Sequence, residues 1–201
     1  MQKISTLFLL IAMLGFTLPQ HLHSGNPDRQ GEAGAPELLM NPWARSAGLH
    51  TMNTASITGV ESMRLNIAGL SRINRTEFKV SHARYLVNTN INLNGLGLSQ
   101  RVGENGAIGV SLMAVDFGDI PVTTGANPDG TGATFSPNWF HIGMGYSYTF
   151  ENKISVGVLF RGISESTQDV NAFGFAIDAG VQYVSGPKDN FQLGISLRNV
   201  G

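Results

Sequence analysis

The chain has no cysteine among its 201 residues. That excludes disulfides, thiolate metal sites, a cysteine nucleophile and a lipid anchor on an N-terminal cysteine. Charge is scarce as well: Asp, Glu, Lys and Arg make up 13% of the chain and the net charge is -1. With no basic stripe to follow a phosphate backbone, no nucleic-acid partner is expected. The five histidines form no His-x-x-x-His pair, so neither a metal nor a cofactor is expected. Long apolar runs are missing with one exception. Lys3 followed by Leu7 to Leu18, about 12 residues where a helical span needs about 20, reads as a secretory signal peptide over residues 1–24. Ser24 and Ala33 both offer small residues for its cleavage. His21 and His23 lie beside that processed end and are given no role.

What the chain does have is period-two alternation. Phe140, Ile142, Met144, Tyr146, Tyr148 and Phe150 share one phase. Ile154, Val156, Val158 and Phe160 follow, then Phe173, Phe175, Ile177, Ala179, Val181 and Tyr183, then Phe191, Leu193, Ile195 and Leu197. Such stretches are strands with one apolar face. They are longer than the ordinary strand of about 5–6 residues and match the roughly 9–11 that cross a bilayer at a tilt. A soluble β-sandwich also alternates, so other features must separate the two. The polar phase is unusually small, with Gly143, Gly145, Gly157, Gly174, Ala176, Gly180 and Gly194, which suits a lumen filled by something else. Its few ionisable or imidazole members, His141, Arg161, Asp178 and Arg198, are candidate lumen-facing polar residues, because lipid would not accept them. Breaks alternate short and long: residues 103–106, 151–152 and 185–190 against 117–137 and 164–169. That arrangement puts Tyr148, Phe150, Tyr183 and Phe191 at one level and Phe140, Phe160 and Phe173 at another, as two interfacial girdles. The expected fold is all-β, a transmembrane antiparallel β-barrel in an outer membrane, with membrane lipid as its surroundings.

Three regions follow: the signal peptide over 1–24, a lead-in and lumen hatch over 25–74, and barrel strands over 75–201. The hatch assignment rests on small, mildly apolar residues with a short helix around Val60 to Leu65; a periplasmic tail is the alternative. Arg75 to Val87 and Ile91 to Val102 both slip phase, the latter around Asn94-Gly95, where glycine predicts a bulge. About seven strands are present. Closed single-chain bacterial barrels have even counts, and the last residues, Arg198 to Gly201, supply no terminal aromatic strand. The chain is therefore expected to be the first half of a longer barrel.

Chemistry-bearing constellations are few. His141 and Ser147 share a strand and a phase, yet lie some 20 Å apart at about 3.3 Å per residue, and no Gly-x-Ser-x-Gly elbow occurs. His50 and His82 have no carboxylate at a useful spacing. No catalytic role is expected. Glu61 and Arg64 are spaced for a local i, i+3 pair; alternatively Arg64 reaches an inward residue such as Asp178 and pins the hatch. Asp116, Asp119 and Asp129 lack the spacing of an EF-hand. The loop from Phe117 to Pro137 is better read as a partner-contacting loop, with Asp119, Asn127 and Asp129 as its candidate residues.

Asn66-Ile67-Ala68-Gly69-Leu70 resembles the Asn-Pro-Ala-Gly-Leu element before the first strand of FadL-type fatty-acid transporters, with Ile67 standing where that element has proline. Asn41 to Gly48 resembles their small-residue segment after the signal peptide. Gly130 to Asn138 and Ile195 to Gly201 narrow the likeness, over about Leu39 to Gly201, to the PorV/PorQ family of Bacteroidota outer-membrane proteins. The resemblance implies a barrel of fourteen strands with an N-terminal hatch, whose motif residues here are Asn66, Ala68, Gly69 and Leu70. It implies an outer-membrane location in a Gram-negative, Bacteroidota-like bacterium and a non-catalytic part in type IX secretion, with the translocon and cargo proteins as partners. The alternative it carries is transport of long-chain fatty acids or another small hydrophobic ligand.

Overall fold

A computed structural model describes residues 36–168 and 170–201; the expected signal peptide, His21 and His23, and the start of the lead-in lie outside the described residues. Seven strands build one sheet: β1 (Thr76–Arg84), β2 (Asn92–Val102), β3 (Gly106–Asp116), β6 (Asn138–Thr149), β7 (Ile154–Thr167), β8 (Val170–Ser185) and β9 (Phe191–Val200). They lie in that order, each antiparallel to its neighbours, and β1 and β9 are open edges rather than partners. Two further strands, β4 (Ile120–Pro121) and β5 (Thr134–Phe135), pair with each other inside the 117–137 connection. The fold is thus mostly antiparallel β, with an open seven-stranded sheet.

Alternation sorts the side chains onto two unlike faces. One cross-strand row reads Phe78, Leu98, Val110, Met144, Phe160 and Ile177. Every member points away from the rest of the protein; Phe78 is 64% exposed and Phe160 63%. The opposite face is lined by Gly97, Ser99, Gly109, Gly145, Ser147, Gly157, Gly180 and Gln182, and residues 36–72 lie against it. That segment runs as a 3-10 turn (Pro36–Leu39), α1 (Ala44–Gly48), a second 3-10 turn (Gly59–Glu61), α2 (Ser62–Leu65) and a third 3-10 turn (Ile67–Arg72). Met63, Ile67, Leu70 and Ile73 pack with Ala107 and Leu159 of the sheet to form the main core. Leu93, Met113 and Val115 form a second cluster, joined by Met40, Ile91, Phe117 and Trp139.

Three local expectations are corrected. β2 carries no bulge at Asn94-Gly95, since its register with β1 and β3 is unbroken. The apparent slip arises because the inner face turns apolar at Leu93 to meet Met40 and Trp139, and Gly95 is small because Pro42 and Ser81 crowd it. The register shift lies instead opposite Ile177 and Ala179, where β9 holds one residue more than β8 and Asn199 takes φ 57°. The break at 164–169 is not a long loop: Thr167 pairs with Val170, leaving two residues between. Phe160 does not share a level with Phe140 and Phe173, because the register sets Phe140 and Phe173 opposite Ser164, four residues further along β7.

Candidate functional site

The site with the most specific chemistry is the seam between residues 36–72 and the inner face of the sheet. Asn66 sits at its centre, 1% exposed. Its Oδ1 accepts from the Ala68 N–H at 3.2 Å, which caps the turn Ile67–Arg72. Its Nδ2 donates to the carbonyls of Thr54 at 3.1 Å, Val181 at 3.1 Å and Ile195 at 3.4 Å. One amide thus satisfies groups of the segment, β8 and β9. The sheet is bare where the segment touches it. A Cβ at Gly180 would stand 2.0 Å from Asn66 Oδ1, and one at Gly157 would stand 3.0 Å from the Ile67 carbonyl group. The other motif residues are buried too. Ala68 gives its carbonyl to Ser147 Oγ at 2.8 Å, Gly69 lies against the Ile57 carbonyl where a Cβ would be 2.1 Å away, and Leu70 is fully enclosed. Ile67, at the position of the motif proline, packs over Gly145.

The inward polar residues anchor the same segment. Arg161 Nη2 donates to Asp178 Oδ2 at 2.6 Å and to the Met63 carbonyl at 3.2 Å. Asp178 Oδ1 accepts from the Asn199 N–H at 2.7 Å, at the bulge. Arg198 Nη1 donates to the Arg64 carbonyl at 3.3 Å, and Arg64 Nη2 to the Glu37 carbonyl at 2.9 Å. His141 Nε2 lies 3.4 Å from Glu37 Oε1. Burial, with Arg161 close by, pushes the Arg64 guanidinium down to about 9. Burial, with Glu165 close by, pushes the Glu37 carboxyl up to about 7.

Neither pairing expected of Arg64 forms. Glu61 is held by Lys79 Nζ at 2.7 Å, and Asp178 is taken by Arg161 and Asn199. Lys79 also reaches Glu77 at 3.2 Å, whose Oε2 accepts the Val60 N–H at 3.0 Å. Sequence patterning missed Glu37, Lys79 and Gln182, whose Nε2 donates to the carbonyls of Thr54 at 2.9 Å and Ile57 at 3.0 Å. Gln182 was findable as a large polar residue in the small inward phase of β8. Glu37 lies in a stretch with no periodicity to place it.

The loop candidates do not converge. Asp119 accepts from Ser136 Oγ beside the β4–β5 ribbon, the Asn127 N–H donates to the Thr124 carbonyl at 3.0 Å, and Asp129 is exposed. Where residues 37–51 meet Tyr85 and Trp139, a cleft of about 530 Å³ is bounded by Glu37, Leu39, Met40, His50, Tyr85 and Trp139. Among the described residues no cluster of three His, Asp or Glu side chains is placed to hold a metal ion. No protein-family model matches the chain, and no curated protein matches it.

Proposed function

We propose that the sheet is part of the wall of an outer-membrane β-barrel, that residues 36–72 plug its lumen, and that the outer loops handle or attach exported proteins without catalysis, in the manner of the PorV/PorQ family. One observation carries the membrane part of this reading: the outward face is an exposed apolar surface from Phe78 on β1 to Ile195 on β9, while Ser99, His141, Ser147, Arg161, Asp178 and Gln182 are buried on the other face. Exposed apolar patches on soluble monomers rarely exceed a few hundred Å², and water would not tolerate a whole sheet face of Phe, Ile, Leu and Val. Two features support the handling role over conduction. The plug is fastened to the wall at Asn66, Met63, Ala68 and Ile57, and the β4–β5 ribbon gives the loop 117–137 a defined shape.

Deleting the gene tests the reading. Surface-anchored exported proteins are expected to accumulate in the periplasm, and the chain to fractionate with outer membranes. Recovery in the soluble fraction, or unchanged export, would defeat it. A second reading, uptake of a small hydrophobic ligand, is favoured by the cleft at Leu39, Met40, Tyr85 and Trp139. It requires that uptake of a labelled fatty acid fall in the same deletion strain.

A further inference from the structure

We propose that the seam binds a small monovalent anion of the chloride class, held between the plug residue Arg64 and the wall residues Arg161, His141 and Ser111. The site is a cavity of about 20 Å³, which Pro42, Trp43 and Met63 close from the plug side. About 10–15 Å³ by this measure admits one water, so the hole takes a single water-sized occupant and rejects polyatomic anions such as sulfate or phosphate. Its lining is rich in donors and short of acceptors. Arg161 commits Nη2 to Asp178 and Met63, and its buried Nε has no partner among the described residues. Neither ring nitrogen of His141 makes a hydrogen bond among those residues, although the side chain is only 2% exposed. Arg64 has no carboxylate within ion-pair distance among them, and its Nη2 donates instead to the neutral Glu37 carbonyl.

Charge gives the same answer. Two buried guanidiniums gather here, Arg64 and Arg161, against Asp178, which Arg161 and Asn199 already hold, and Glu37, whose carboxyl is pushed up to about 7 and is neutral below that pH. A guanidinium buried without a counter-charge costs several kcal/mol. A water in the cavity would satisfy donors and leave that charge; a monatomic anion satisfies both, because it accepts from any direction. Bound there, the anion links the plug to β3, β6 and β7 at one point. The inference rests on the seam alone, so its failure leaves the membrane reading untouched, and fractionation does not bear on it.

The test uses the unaltered chain in detergent micelles, in sodium chloride against sodium gluconate at equal ionic strength. Above the dissociation constant, each tenfold rise in chloride is expected to raise the unfolding midpoint by about 3–6 °C, with no rise in gluconate. Ser111→Leu, which fills the hole and keeps both arginines, is expected to abolish the chloride response. Should that variant not fold, anomalous diffraction from bromide-grown crystals of the unaltered chain takes its place, with a peak expected between Arg64 and Arg161. Identical midpoints in the two salts, or no bromide peak, would overturn the proposal and assign the cavity to water.

Discussion

Asn66 shows what one side chain can fix. Its amide nitrogen faces three carbonyls, from residues 54, 181 and 195, and its oxygen caps the turn that follows. Leucine would fill the space and strand all four groups. Because a buried polar group left unpaired costs about 1–3 kcal/mol, Asn66→Ala is expected to destabilise the plug by at least that amount. Asn66→Asp should be worse, since a carboxylate would face three carbonyl oxygens with no proton to give. Hydrogen exchange of residues 53–72 checks both, with faster exchange there than in β6 or β7. Glu37 makes a pH prediction of definite sign. Its carboxyl is raised from 4.5 to about 7 by burial and by Glu165, so the folded state holds a proton that the unfolded state releases sooner. Stability from this group is full below about 4.5 and is lost as pH rises through about 7. Glu37→Gln should flatten that slope, which thermal midpoints across this range would show.

At the scale of elements, some glycines of the inner phase, Gly157 and Gly194 among them, are places where the backbone of residues 36–72 rests on the sheet. A Cβ at Gly157 would stand 3.0 Å from the Ile67 carbonyl group, whereas one at Gly174 on β8 would have nothing within 4 Å. Gly157→Val is expected to push the plug off by overpacking, at about 1–3 kcal/mol, while Gly174→Val gains β-propensity and disturbs nothing. Protease nicking within residues 49–58 separates the two: faster in the first variant, unchanged in the second. The same contrast explains what could be read from sequence. Strand positions and the outward phase followed from alternation, because one face has a uniform apolar environment. The inner face has no uniform environment. Glycine at 95 looked like a bulge because nothing in the sequence places Pro42 over it. The real bulge, at Asn199, is made by a side chain on another strand, Asp178. The residues of the seam were recognisable only in part, through a short motif and the inward charges. The fastening of Gln182, Lys79 and Glu37 depends on contacts up to 128 residues apart in sequence.

For the molecule as a whole, the outward face sets the argument. Along β8 the outward residues Phe173 to Tyr183 cover about 34 Å at 3.4 Å per residue, or about 24 Å at a 45° tilt, against the roughly 25 Å apolar band of outer-membrane barrels. In such a bilayer the free edges of β1 and β9 need partners, because unpaired backbone groups there cost several kcal/mol each. Strands one and seven of an antiparallel meander run the same way, so antiparallel closure needs an odd number of further strands. A second copy turned about the barrel axis would set β9 parallel to β1, and does not supply it. The absence of cysteine makes the face directly testable, since any introduced thiol is the only one present. Met144→Cys and Phe160→Cys lie in the apolar row, and Gln100→Cys replaces an exposed polar side chain that accepts from Thr76 on the same face. Ser147→Cys lies under the plug, fully buried. In outer-membrane vesicles, a lipid-soluble maleimide should label positions 144 and 160, a water-soluble one position 100, and neither position 147. Phe160→Arg, at mid-band, should lower the amount of membrane-inserted protein as expected for about 2–4 kcal/mol, and Gln100→Arg for about 0–1 kcal/mol. Equal labelling of positions 144 and 160 by the water-soluble reagent would mean that this face meets water or another protein, and the membrane reading would fall.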